Sequence, residues 1–201
     1  MFDTIFWVIF IGILSVVALY LIGLYNQLVN LRNRFKNAFS QIEVQLKRRH
    51  DLIPNLLETA KAYMSHERDT LVAVTEARNI AASCLKAAAA EPGSAPSMAQ
   101  LGKNEGRLNT AMDKLNVTLE EYPNLYASET MMQLSDEITH TEDRIAYARQ
   151  FFNDSVMDYN IFRQKFPTVL IAATVGHGTD AALLEFDDSE QIQQAPTVSF
   201  S

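Results

Sequence analysis

The sequence predicts an all-α fold, an N-terminal transmembrane helix followed by an antiparallel bundle of long helices. Three observations carry that expectation. Residues Thr4 to Leu24 hold no charge over 21 positions. Beyond them, apolar residues recur about every 3.5 positions, the period of a packed helical seam. Glycine and proline number only 7 and 6 in 201 residues, roughly half of average usage. That is too few turn residues for a sandwich or barrel of short strands. A single cysteine excludes an intramolecular disulfide framework. The net charge of -7 leaves no surplus of cations to neutralise phosphates, so no nucleic-acid partner is expected. Mean hydropathy is -0.05, which averages a very apolar piece with a polar one.

The apolar piece comes first. As a helix, Thr4 to Leu24 would be about 31 Å long, the hydrocarbon thickness of a bilayer. Of residues 5–24, 14 are Leu, Ile, Phe or Val. At roughly -0.4 kcal/mol each they favour insertion by about 6 kcal/mol. A cleaved signal peptide would carry a basic start, a shorter apolar stretch and a small-residue cleavage site. Here Asp3 is the only charge before the span and no such site follows, so residues 1–24 are read as an uncleaved anchor in the lipid bilayer. Arg32, Arg34 and Lys36 follow the span and no basic residue precedes it. The positive-inside rule then places the N-terminus outside and the helical domain in the cytoplasm.

Residues 25–176 form the bundle. Between Tyr25 and Ala90 there is no glycine and one proline. A seam runs Leu28, Leu31, Phe35, Ala38, Ile42, Leu46, Ile53, Leu56, Ala60, Tyr63, and later Leu71, Val74, Ala81, Leu85. Polar residues interrupt it at Arg49, Glu67 and Arg78. Pro54 removes one ladder bond and crowds the carbonyl of His50, so a kink or hinge is expected there. Glu91 to Ser97 (EPGSAPS) breaks the helix, and Ser97 with Gln100 reads as a capping box opening the next one. That helix carries Leu101, Leu108, Met112, Leu115, Leu119 and Tyr122 up to Pro123. Ser128 caps a last long helix with a seam from Met131 through Ile138, Ile145, Phe152 and Tyr159 to Phe166, ending at Pro167. The two helices, about 36 and 57 Å, are unequal. Either the last overhangs, or the first bends at Pro54 and packs as two pieces. Residues 177–201 read as an acidic, loosely ordered tail.

The stretch QIEVQLKRRHDLIPNLLE, the His66-Glu67 pair and the TEAR segment resemble the LemA family closely. EYPNL at residues 121–125, DRIAYARQFFNDSVMDYN at 143–160, FPTVLIA at 166–172 and a closing PTVSF match as well. The resemblance covers nearly the whole chain, and departs at Gly176-His177-Gly178, where an aromatic is usual. It implies a bacterial single-pass membrane protein with a helical domain, and no enzyme. It supplies no catalytic residues to carry over. One branch of the family resembles proteins that help form magnetosome membranes, and family genes often neighbour envelope-stress or membrane-protease genes.

The residues themselves agree that no catalytic, cofactor or metal site is expected. His66-Glu67 would need a histidine at position 70 for a zinc motif, and Thr70 stands there. His140 with Glu142 and Asp143 reads as a solvated face, and Cys84 as a packing residue. The polar residues singled out as an interaction patch are Lys47, Arg48, Arg49, His50, Asp51, His66, Glu67 and Arg78. The basic run at 47–49 would lie about 35 Å past the span, and the acidic tail is an expected docking partner for it. Two functions follow: a self-associating, membrane-anchored scaffold in the bacterial inner membrane, or a regulatory subunit bound to another membrane protein such as a protease.

Overall fold

A computed structural model describes residues 2–64 and 66–186. Its order is α1 (Phe2–Lys61), α2 (Arg68–Ala90), α3 (Ala95–Glu120), α4 (Pro123–Tyr126), α5 (Glu129–Gln164) and α6 (Thr168–Ala172). No strand occurs among the described residues.

Helix α1 runs unbroken for 60 residues, through Pro54. Of the two arrangements that the unequal lengths left open, the one that divides the first helix into two at Pro54 does not occur. The chain turns later, between Lys61 and Arg68, where neither glycine nor proline stands. Buried Met64 folds back there, its amide donating to the Ala60 carbonyl. The apolar first third of α1 is exposed along its whole length, and α1 is the one described helix long and apolar enough to cross a membrane.

An uninterrupted α1 resolves the length mismatch. α5 lies antiparallel along it, with Arg34 bonded to Asp158 at one end and Arg48 paired with Glu137 at the other. The α2–α3 hairpin packs on this pair. The capping expectation at Ser97 is also corrected. α3 opens at Ser94, and Pro96 sits in the first turn, where its missing N–H costs nothing. Ser128 does cap α5, its hydroxyl accepting from the Met131 amide at 3.3 Å.

The core has two parts. The one nearer the span joins Phe35, Phe39, Phe152 and Tyr159 with Met98 and Leu101. The distant one joins Ile53, Leu56, Val74, Leu108, Leu115 and Met131. Between them the seam positions carry polar residues.

Candidate interaction site: a buried polar layer and a C-terminal strap

Arg49 occupies a seam position between Leu46 and Ile53, so its side chain is carried inward. It is buried to 2%, beside equally buried His50. Glu105 takes the matching seam position of α3, between Leu101 and Leu108, and is wholly buried. The His50 Nε2–H donates to Glu105 Oε1 at 2.9 Å. Arg49 lies 3.7 Å from Glu105 Oε2, donates to Asn109 Oδ1 at 2.6 Å and pairs with Glu142 at 3.1 Å. One guanidinium thus ties α1 to α3 and α5. Burial raises the Glu142 carboxyl above its ordinary value, with Asp113 and Asp143 adding to the rise and Arg49 opposing it.

Pro54 acquires a structural meaning here. Lacking an N–H, it leaves the carbonyl of His50, four residues back, without its ladder partner. Arg78 on α2 fills the gap, its Nε donating to that oxygen at 2.8 Å. Its other end reaches Asp51 at 3.8 Å. The proline therefore creates an acceptor on α1, and α2 docks on it.

The eight residues read as one patch separate accordingly. Arg49, His50 and Arg78 converge on Glu105 and the His50 carbonyl. Buried Arg49 and His50 are not available as a surface patch, because Glu105 and Asn109 draw them inside. Lys47, Arg48 and Asp51 stay exposed. His66 is exposed in the α1–α2 turn, and Glu67 stands at the N-cap of α2, about 16 Å from Arg78 along the helix. Arg32, Arg34, Lys36 and Pro54 are exposed on α1.

The tail differs most from expectation. Residues 177–186 form an extended strap laid along α5. Asn160 clamps Ala181 through two backbone bonds of 2.9 Å, and Asn153 clamps Leu184 through bonds of 2.9 and 3.2 Å. Seven helical residues and three extended ones both span about 10 Å, so the two clamps match in register. Leu184 and Phe186 are buried, with Arg149 4.5 Å over the Phe186 ring. The Ala182 amide donates to Gly93, and Gly102 leaves room for the Glu185 carbonyl, which a Cβ would strike. Asp180 is bonded by Arg163 and Gln164, which hold its carboxyl below the ordinary value. Its partner is therefore Arg163, not the basic run at 47–49. Asp187, Asp188 and Glu190 lie outside the described residues.

The strap begins at His177, buried against Tyr25 and Tyr159. The Tyr159 hydroxyl and His177 Nδ1 share a hydrogen bond of 3.0 Å. Burial, then the charge of Arg32, lowers the imidazole below its ordinary value. Among the described residues, no three His, Cys, Asp or Glu side chains converge as metal ligands do.

A helical bundle continuous with an apolar, span-length helix is the architecture of a membrane-associated protein. The profile of the LemA family matches residues 38–200. The chain belongs to the LemA family. It is 28% identical over 165 residues to Protein LemA of Metamycoplasma hominis, covering 82% of this chain and 66% of that one. It is 26% identical over 203 residues to Magnetosome protein MamQ 2 of Paramagnetospirillum magneticum, covering 92% and 71%. Magnetosome protein MamQ of Magnetospirillum gryphiswaldense is 25% identical over 183 residues, covering 83% and 67%. None of these names is that of an enzyme.

Proposed function

We propose that the protein is a non-enzymatic scaffold, anchored through residues 4–24 in the bacterial inner membrane with its bundle in the cytoplasm, which self-associates and organises membrane or envelope. The observation that carries the reading is the use of the buried charges. Arg49, His50 and Glu105 are buried and pair across α1 and α3, and Arg49, with Asn109 and Glu142, lines the wall of a cavity of about 340 Å³ between α1, α3 and α5. Buried polar groups that set register are a specificity device. The magnetosome names of three relatives support a membrane role. Self-association is supported by Tyr147, Phe151, Met157 and Ile161, exposed on the side of α5 away from the core.

The test is size analysis of the full chain in mild detergent, with cysteine labelling of intact cells for topology. A homogeneous oligomer disrupted by Phe151→Asp supports the scaffold. A monomer refutes self-association.

One feature favours an adaptor instead. A largely apolar groove of about 680 Å³ lies between the end of α1 and α2, lined by Ile53, Pro54, Leu57, Leu71 and Val72. It suits an amphipathic helix of another membrane protein. Affinity purification from native membranes distinguishes the readings. Recovery of one stoichiometric membrane protein, lost on Val72→Asp, supports the adaptor.

A further inference from the structure

The seam of α5 is buried or half-buried from Met131 to Phe162, and then fails. Phe166, the next seam residue, is 80% exposed. Val169 and Leu170 follow at 46% and 67%, and Val175 at 37%. This is not a frayed end, since Thr168 and Ala172 on the same short helix are buried to 2%. One face of α6 is pinned to the bundle, while Val169 and Leu170 on the other, with Phe166 and Val175 flanking the helix, leave four large apolar side chains exposed.

Antiparallel register gives the height of this corner. Asp158 is bonded to Arg34. Six residues further, Gln164 stands opposite Leu28, about 6 Å past Leu24, where the apolar run of α1 ends. Independently, the His177 ring lies 6.3 Å from Tyr25, the first residue past that run. The α5–α6 corner therefore sits at the end of the bundle from which the span emerges, level with its exit. Tyr25 is itself exposed at this end of α1. Lys165 is exposed at the same level and Arg32 about 6 Å further from the span, and no ion pair engages either among the described residues. Apolar side chains with basic neighbours at this depth are the composition of a segment lying in a membrane interface.

We propose that the Phe166–Val175 corner is a second membrane contact, with Phe166, Val169 and Leu170 inserted among the lipids at the headgroup–acyl boundary. The protein would then stand on two footings, the span and the corner. This inference rests on the anchored reading of α1, and the experiment separates the two.

In the full chain carrying Cys84→Ser, single cysteines are placed at Leu14, Leu170 and Val117, all exposed positions. Val117 lies on the far end of α3. Each is labelled with a small fluorophore and reconstituted into phosphatidylcholine–phosphatidylglycerol vesicles, with or without brominated acyl chains. The expected result is a loss of fluorescence at Leu14 and Leu170, and none at Val117. Loss at Leu14 without loss at Leu170 overturns the corner contact and leaves the anchor intact. No loss at Leu14 refutes the anchor, and the corner with it. Disulfide dimers through position 170 without lipid quenching also overturn it, assigning the face to a second copy of the chain.

Discussion

Replacing Arg78 with alanine removes the donor that completes the ladder at Pro54. The half-buried Arg78 bonds the His50 carbonyl at 2.8 Å, and stranding a buried acceptor costs about 1–3 kcal/mol. The ion pair to exposed Asp51, at 3.8 Å, adds about 0.5 kcal/mol or less. A total near ~2 kcal/mol corresponds to a fall in melting temperature of about 4–8 °C for a domain of this size. The informative measurement is the double-mutant cycle with Pro54→Ala, followed by circular dichroism of the full chain in detergent. The alanine that replaces Pro54 carries an N–H that can bond the His50 carbonyl, so the same Arg78→Ala change should then cost only the ion-pair part, about 0.5 kcal/mol. The coupling between two residues on different helices is thus expected at about 1.5 kcal/mol, in the range of coupled neighbours. Equal costs in both backgrounds would refute the argument that Arg78 serves the carbonyl that the proline orphans.

Other consequences are as direct. Glu105→Ala strands two buried partners and should cost about 3–5 kcal/mol, against about 0.5 kcal/mol or less for Arg48→Ala at the surface, both read from thermal melts. Asn153→Ala and Asn160→Ala each remove two strap bonds, about 1–3 kcal/mol, and should speed hydrogen exchange at the Leu184 and Ala181 amides. Gly102→Ala should expose the strap to cleavage after Glu185 by a glutamate-specific protease. For His177, a folded-state value below the ordinary one means the unfolded chain binds the proton more readily. Stability is then lost as pH falls from about 6.5 towards the folded value. In a Glu142→Gln background, which removes a carboxylate of opposite sign of effect, His177→Gln should flatten that slope; an unchanged slope would show that His177 is not its source.

Much of this architecture is legible in the residues, and the exceptions have physical causes. The apolar run, the 3.5-residue seam, the Ser128 cap and the proline-marked ends follow from local chemistry. The turn at residues 62–67 does not, because no breaker marks it and the tertiary burial of Met64 decides it. Arg49 read as surface because charge is normally solvated. The contrary signal was its place in the seam, matched by Glu105 in the seam of α3. The strap was hidden by its acidic composition. What orders it is the seven-residue spacing of Asn153 and Asn160, both inside the stretch that carries the family resemblance.

The unbroken α1 has a mechanical consequence. From Leu24 to Lys61 it continues as one helix with a contour of about 55 Å. Anchored as proposed, a straight helix of that length tilted a further ~10° in a bilayer would swing its free tip by about 10 Å. Bilayer thickness, which sets such tilts, would therefore be transmitted as lateral displacement of the distant core, while a second foothold beside the exit point would brace the rod upright.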